Sequence, residues 1–188
     1  ELGKLFTQAD LTKATSMEEV IDNLKAFRAA NPDKKWLLGR GWDQNDWQVK
    51  SFPDKTLLDE AFPDVPVFLT RIDGHAALVN TKALEISGLV SGVLVEGGVV
   101  EVKEGSPTGI LIDNAMDLVR RHMPVSSVNE KKEMLRDAEK ACFSVGLTSI
   151  SDAGIGKGDI DLLDRMHKDG TLKIRNYAMI YATPDNLD

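Results

Sequence analysis

The sequence is poor in the residues that most often build a metal centre or a covalent crosslink. It contains one cysteine, Cys142, and three histidines in 188 residues. A single cysteine excludes an internal disulfide and leaves the redox compartment open. The histidines His75, His122 and His167 are scattered and form none of the close pairs that supply zinc ligands. His122 and His167 also fall near predicted helix C-termini, where a cation interacts favourably with the helix dipole. The sequence therefore predicts no self-contained metal site.

Long apolar runs and clusters of basic residues are also missing. No stretch approaches the ~20 apolar residues that a membrane-spanning helix needs. The net charge is −7, and the basic residues are interspersed with acids, as in KKEMLRDAEK. Because phosphate binding needs clustered Lys and Arg, we expect no nucleic-acid partner. Because the apolar runs are short, we also expect no membrane partner. The compartment stays open, with the cytoplasm weakly favoured, because any signal peptide would lie upstream of Glu1.

Helix starts are marked by polar residues with capping geometry. Ser16 with Glu19, and Ser127 with Glu130, have the spacing of capping boxes. Two shorter helices have single N-cap candidates, Asn80 and Asp113. The remaining helix predictions are a helix at 159–168 and, for the helix after Ser127, a buried face made of Leu135, Ala138, Cys142 and Val145.

Short β-rich runs between these helices predict strands. Apolar residues make up 42% of the chain, which suffices for a sizeable core. Two further runs flank a Gly-Gly pair in VLVEGGVVEV (93–102), which predicts a hairpin there, followed by a turn at GSPTG. Alternating helices and strands in the second half favour an α/β sheet or barrel with parallel strands. We expect residues 1–188 to form one α/β segment, with an inserted hairpin and strand at 89–112. The other predicted strands are 36–40, 66–70, 109–112, 147–151 and 173–181.

The segment RIDGHAALVNT (71–81) places polar residues directly after a predicted strand. If that strand is parallel, His75 emerges at its carboxyl end, where sites in α/β proteins gather. Asp73 could then orient the imidazole, and Gly74 would permit close approach of backbone or ligand. The alternative is a turn, because Asp-Gly is a frequent turn pair and the histidine could be a satisfied polar cap. The local sequence leaves both interpretations open.

Two other polar segments also follow predicted strands. GRGWDQNDW (39–47) offers Trp42, Asp43 and Asn45 either as a pocket wall or as a surface loop pinned to the core by its tryptophans. SDAGIGKG (151–158) follows LTSIS and lacks the serine or threonine of a phosphate-binding loop after Lys157. Asp152 in that segment is a candidate for a catalytic or pocket residue, or for a residue that caps the loop.

Four segments, in the same order and spacing, resemble the bacterial amidohydrolase group that includes YtcJ-like proteins and N-substituted formamide deformylases. The DGHAALVN and PTG-x-L-x-D blocks carry most of the resemblance. The four segments are GWDQNDW (41–47), the stretch 52–84, GSPTGILIDNAMDLV (105–119) and GLTSISDAG (146–154).

The resemblance implies a TIM-type (β/α)8 barrel and a hydrolase of C–N bonds other than peptide bonds, such as those of amides or formamides. It also implies a divalent metal, with zinc expected, that lowers the pKa of bound water and polarises the scissile carbonyl. Asp73, Gly74 and His75 match the group's DGH motif, and Trp42, Asp43 and Asn45 match its GWDQN motif. Both motifs are assigned to the shape of a pocket for a small-molecule substrate, together with Asp152.

The sequence departs from the group in lacking the H-x-H pair of the first barrel strand. The later Lys, His, His and Asp ligands would follow strands beyond residue 188. We therefore expect an internal, partial barrel segment with an inserted β-hairpin, which alone holds no metal and is inactive. Its unpaired strand edges predict either self-association into a homo-oligomer or rearrangement of the sheet. A non-catalytic α/β ligand-binding or interaction module is the alternative function, and a purely structural domain is the third.

Overall fold

The computed structural model describes residues 2–89, 93–183 and 186, and these residues fall into two units. The larger unit is Thr7–Val125, and the smaller joins Glu1–Phe6 to Ser126–Asp188. The helices are α1 (Leu2–Leu5), α2 (Met17–Ala30), α3 (Thr56–Ala61), α4 (Thr81–Ser87), α5 (Asp117–Arg120), α6 (Val128–Ser144) and α7 (Lys157–Lys168). The strands are β1 (Ala9–Asp10), β2 (Leu37–Trp42), β3 (Val67–Arg71), β4 (Ala76–Val79), β5 (Gly98–Lys103), β6 (Ser106–Asp113), β7 (Ser149–Ile155) and β8 (Arg175–Ile180).

The larger unit is built around one six-stranded mixed sheet with the order β1-β2-β3-β4-β6-β5. Strands β1, β2 and β3 run parallel, whereas β4 pairs antiparallel with both β3 and β6, and β5 pairs antiparallel with β6 at the edge of the sheet. The central strands β3 and β4 are buried almost throughout, which fits their continuous apolar runs. The described residues thus form a mixed α/β fold with a central sheet, and they do not close into a barrel.

Asn80 ties α4 to the sheet, in addition to the capping role that the sequence predicts. Its side chain is fully buried. The Oδ1 atom accepts hydrogen bonds from the N–H groups of Val67, at 2.9 Å, and Ala83, at 3.1 Å. The Nδ2 group donates to the carbonyls of Phe62 and Val65, both at 2.9 Å. One amide therefore satisfies four backbone groups from three segments, and its full pairing explains how a polar side chain is buried here.

The hairpin lies later in the chain than the sequence predicts. Strands β5 and β6 pair antiparallel, and their connection is Glu104-Gly105, between the paired residues Lys103 and Ser106. Both connecting residues have positive φ, 51° and 78°, as a two-residue turn with the twist of the flanking strands requires. At the predicted Gly97-Gly98 turn the structure has a turn one residue earlier, at Glu96-Gly97, closed by a single antiparallel bridge between Val95 and Gly98, and residues 93–94 form no strand before it. GSPTG likewise lies mostly within β6, and residues 90–92 of the predicted insertion lie outside the described residues.

The smaller unit pairs β7 with β8 in parallel, as the alternating pattern predicts. Its core joins Cys142 of α6 to Leu162, Leu163 and Met166 of α7. The capping box between Ser127 and Glu130 is present in both directions, so the predicted start of α6 is confirmed. No helix among the described residues is long and apolar enough to cross a membrane.

Two details of the smaller unit differ from the sequence prediction. Strand β7 continues to Ile155, so Asp152 lies inside the strand and not at its carboxyl end. Val145 lies beyond the last residue of α6, and it is 73% exposed, so the prediction that it faces inward is wrong. Both errors come from helix and strand ends, which local patterns define poorly.

Candidate functional site

Two of the three predicted polar segments begin at the same edge of the larger sheet. Strands β2 and β3 are parallel and end at Trp42 and Arg71, which are partners in the register. The N–H of Ile72 donates to the carbonyl of Trp42 at 3.0 Å, which keeps the two segments together beyond the ends of the strands. The GWDQN loop and the DGH turn are therefore neighbours at the carboxyl end of parallel strands, where α/β proteins place their sites.

Arg71 connects these two segments through three separate hydrogen bonds. Its Nε donates to Gln44 Oε1 at 3.0 Å, one terminal nitrogen donates to Asp73 Oδ2 at 2.7 Å, and the other donates to Asp43 Oδ1 at 3.1 Å. The side chain is only 17% exposed. A planar guanidinium with partners on three sides has little freedom to rotate, so Arg71 fixes the loop after β2 relative to the turn after β3.

Asp43 is held as a carboxylate at this junction. The backbone N–H of Asn45 donates to Asp43 Oδ1 at 3.0 Å, and this hydrogen bond is the largest cause that lowers the pKa of Asp43. Arg71 lowers the pKa further through its hydrogen bond and its charge, whereas burial opposes both. The carboxylate is thus ionised at neutral pH and is occupied on one oxygen by two donors.

The tryptophans of the GWDQNDW segment anchor the loop to the core. Trp42 is 1% exposed, and its Nε1 donates to the carbonyl of Leu69 at 2.9 Å. Trp47 is also buried, and its Nε1 donates to the carbonyl of Ala14 at 2.9 Å. The rings lie 6.1 Å apart, and Phe52 meets Trp42 edge-on at 6.3 Å. Of the two interpretations of this segment, the anchored loop describes both tryptophans, while Asp43 and Asn45 form its polar surface.

The DGH segment is a hairpin connection between the antiparallel strands β3 and β4. Gly74 has φ 81°, and its N–H donates to the carbonyl of Arg71 at 3.0 Å. Asp73 Oδ1 accepts from the backbone N–H of His75 at 3.1 Å. Asp73 thus holds the turn and Arg71, and it does not contact the imidazole as the sequence suggested. The turn interpretation therefore describes Asp73 and Gly74.

The imidazole of His75 is held by Asp113, a residue for which the sequence pattern indicates no such role. Its Nδ1 lies 2.8 Å from Oδ1 of Asp113 at the end of β6, and the N–H of Asp113 donates to the carbonyl of His75 at 2.9 Å. The prediction that Asp113 caps the following helix is wrong, since its side chain makes no cap hydrogen bond. The side chain of His75 is 76% exposed, so most of the ring is open to solvent.

Asp152 lies in the smaller unit, whereas the other six predicted site residues lie in the larger one. It borders a cavity of about 280 Å³ whose wall includes Gly154, Asp159, Leu162 and Tyr181. Lys131 also lines this cavity, and its Nζ lies 2.7 Å from Asp159 Oδ1. The pairing of β7 with β8 shifts register between Asp152 and Ile155, beside the same cavity.

Carboxylates and histidines do not gather into a metal site within the part of the chain that the structure describes. Among residues 2–89, 93–183 and 186, no group of three or more His, Cys, Asp or Glu side chains could hold a metal ion. The pair formed by His75 and Asp113 offers two ligands, whereas a zinc site takes three or four.

Comparison with known proteins places the chain in a family. The putative amidohydrolase YtcJ of Bacillus subtilis is 37% identical over 148 residues, which cover 78% of this chain and 28% of YtcJ. The N-substituted formamide deformylase of Arthrobacter pascens is 24% identical over 163 residues, covering 84% of this chain and 30% of the enzyme. The chain thus spans under a third of the length of both proteins.

A solved structure has a similar fold over most of the chain. An uncharacterized metal-dependent hydrolase from Pyrococcus horikoshii OT3 superposes with a TM-score of 0.68 and 25% identity, over 95% of this chain and 34% of that protein. Residues 3–184 match the amidohydrolase family itself. The resemblance that the DGH and GWDQN segments suggest is therefore confirmed, and the chain is a YtcJ-like member of the amidohydrolase family.

Proposed function

We propose that this chain is part of a metal-dependent hydrolase of C–N bonds other than peptide bonds, and that it forms the substrate side of the pocket. Family membership supports the reaction class, and the formamide deformylase among the relatives supports amide or formamide-type substrates. The likeness to a metal-dependent hydrolase structure supports a divalent metal, with zinc as the first expectation. The same likeness is consistent with a partial (β/α)8 barrel.

One observation carries the proposal for the site, namely the three-way hydrogen bonding of Arg71. It joins Asp43 and Asp73 at the carboxyl end of two parallel strands. Preorganised polar groups at such an edge can bind and orient a substrate without rearranging. Asp73 and His75 remain partly or largely exposed there, with 38% and 76% of their side chains accessible. Their role in the proposal is to orient the polar end of a small amide.

The described residues do not fit a metal centre by themselves, because they contain no group of three or more possible ligands. The proposal therefore assigns the metal to other parts of the whole protein. The 188-residue chain alone is proposed to lack hydrolase activity. Asp152 is retained as a pocket residue of the smaller unit, next to its cavity.

The test is an activity screen of the whole protein, loaded with Zn²⁺, Mn²⁺ or Co²⁺ in parallel. N-formyl amines and N-acyl amines are offered beside peptides and esters, and the released amine, acid or alcohol is quantified. The proposal expects amine release from the first two groups only, and none from the 188-residue chain. A loaded whole protein that binds these amides without cleaving them would support the alternative of a ligand-binding module.

A further inference from the structure

The pair formed by His75 and Asp113 is fixed by two hydrogen bonds that run in opposite directions between the same residues. The backbone N–H of Asp113 donates to the carbonyl of His75, and the carboxylate of Asp113 lies 2.8 Å from the imidazole Nδ1. The next residues along the strands, Ala76 and Ile112, are partners in the register of β4 and β6. The sheet therefore sets the distance between the two side chains.

Asp113 occupies this position in an unfavourable backbone conformation. Its φ of 47° and ψ of −123° lie in a region that side chains other than glycine rarely adopt. The described residues contain only one other non-glycine residue with positive φ, Glu104 in the β5–β6 turn. A turn explains Glu104, whereas glycine would suit residue 113 better than aspartate on backbone grounds. Strain of this kind persists where the side chain has a role to perform.

We propose that Asp113 is a positioning residue that fixes the tautomer of His75. A carboxylate can only accept, so neutral His75 must carry its proton on Nδ1. The other ring nitrogen, Nε2, then keeps its lone pair, and it has no protein partner among the described residues. An exposed Nε2 acceptor suits a ligand with an N–H donor, and an amide N–H is such a group. This inference rests on the proposed function for its substrate, but not for its tautomer.

Of the two carboxylates near His75, only Asp113 is hydrogen-bonded to the imidazole ring. Asp73, the other nearby carboxylate, already accepts from the backbone N–H of His75 and from Arg71. Asp113 is therefore the carboxylate that acts on the ring. A histidine without such a partner is free to exchange between its two tautomers in solution, so removal of the Asp113 carboxylate should change the proton distribution.

The experiment is a long-range ¹H–¹⁵N correlation spectrum of the His75 ring in alkaline buffer, where the imidazole is neutral. It compares the unmodified chain with Asp113→Gly, which removes the carboxylate and suits the positive φ. Glu104→Gly is the matched control, since it changes the other positive-φ residue without touching His75. Asp113→Asn is the conservative variant, because its amide oxygen can still accept from Nδ1.

The unmodified chain, Glu104→Gly and Asp113→Asn are expected to show the Nδ1–H tautomer of His75, and Asp113→Gly a shift toward Nε2–H. In the whole protein, Asp113→Gly should lower kcat/KM at least tenfold without loss of thermal stability, and Asp113→Asn should recover most of it. An Nε2–H tautomer in the unmodified chain, or one that Asp113→Gly leaves unchanged, overturns the inference. So does a tautomer shift that leaves kcat/KM intact. Absence of hydrolysis in every form, with the tautomer shift present, instead contradicts the proposed function.

Discussion

The guanidinium of Arg71 lies 3.1 Å from the carboxylate of Asp43 and joins the loop after β2 to the turn after β3. The same guanidinium reaches Asp73 at 2.7 Å and Gln44 at 3.0 Å. This arrangement makes Arg71 the residue on which the geometry of the proposed pocket depends. Substitution of Arg71 therefore tests whether its three hydrogen bonds hold this geometry.

Replacing Arg71 by lysine should destabilise the chain by about 1–3 kcal/mol. A lysine ammonium is a compact point charge, and it cannot present the planar fork that bonds Asp43, Asp73 and Gln44 together. Urea unfolding followed by tryptophan fluorescence measures the change. Arg136→Lys is the matched control, because Arg136 makes one exposed i,i+3 pair with Glu133. The control should shift stability by no more than about 0.5 kcal/mol. Equal effects of both substitutions would contradict the role of Arg71.

Replacing Asn80 by alanine should be among the most destabilising single substitutions in the larger unit. It leaves two buried N–H groups, the buried carbonyl of Phe62 and the partly buried carbonyl of Val65 without their partner, so a loss of about 3 kcal/mol or more is expected. Asn80→Asp keeps the acceptor but loses both donors, and it should also destabilise.

The control for Asn80 is Asn45→Ala, which removes an exposed side-chain amide and keeps the backbone N–H that donates to Asp43 Oδ1 at 3.0 Å. Its effect should stay within about 0.5 kcal/mol. Thermal and urea unfolding of the three variants check the order. If Asn80→Ala proved as mild as Asn45→Ala, the four hydrogen bonds would not be formed in solution.

Acid should remove the stabilisation that Asp43 provides. The backbone N–H of Asn45 and then Arg71 lower the pKa of Asp43 in the folded chain. A lowered folded pKa contributes stability above the unfolded value of ~3.9, and that stability is lost as pH falls through the folded pKa. Asp43→Asn should therefore be less stable than the unmodified chain at neutral pH, with a gap that closes below about pH 4. Unfolding free energies measured across this range test the sign, and a gap that widens in acid would contradict it.

The β5–β6 turn offers a stabilising change. Glu104 has φ 51°, a conformation that glycine adopts without steric conflict. Glu104→Gly should raise the free energy of unfolding by about 0.5–1 kcal/mol. Gly105→Ala should lower the free energy of unfolding by a similar amount, because its φ of 78° disfavours any residue with a Cβ. The added Cβ would meet no other atom within 4 Å, so a packing clash does not contribute. Urea unfolding of both variants measures the two changes in the free energy of unfolding. Changes of opposite sign would show that backbone strain, and not packing, is responsible, whereas changes of the same sign would show that the turn has a different conformation.

Local sequence predicts the parts of this fold that depend on neighbouring residues. Ser127 and Glu130 form the expected capping box, and Asn80 caps α4 as expected. The longer hairpin was placed at Gly97-Gly98 because Gly-Gly is a favoured turn pair, but the turn beside it closes only the single bridge between Val95 and Gly98. The β5–β6 turn at Glu104-Gly105 was missed because it requires a non-glycine residue with positive φ. Here the pairing of β5 with β6 overrides the local preference.

The sequence predicts where some candidate site residues lie, but it does not predict the long-range contacts that hold them. The motif residues Asp43, Asp73 and His75 follow strands, so their position at the sheet edge could be anticipated. Arg71 and Asp113 bond partners that lie 27, 28 and 38 residues away, and those contacts depend on strand register. A one-residue slip would send each side chain to the opposite face. The sequence pattern does not fix register, and it therefore could not assign these two residues their roles.

We propose that His75 lines a substrate pocket and does not hold the metal. The most direct measurement is amine release by the metal-loaded whole protein and its His75→Ala variant, with metal content determined in the same samples. We predict that His75→Ala lowers turnover at least tenfold, within the range that general acid–base and positioning groups contribute, and leaves the metal content unchanged. Unaltered turnover, or turnover lost together with the metal, would show that His75 does not have this role.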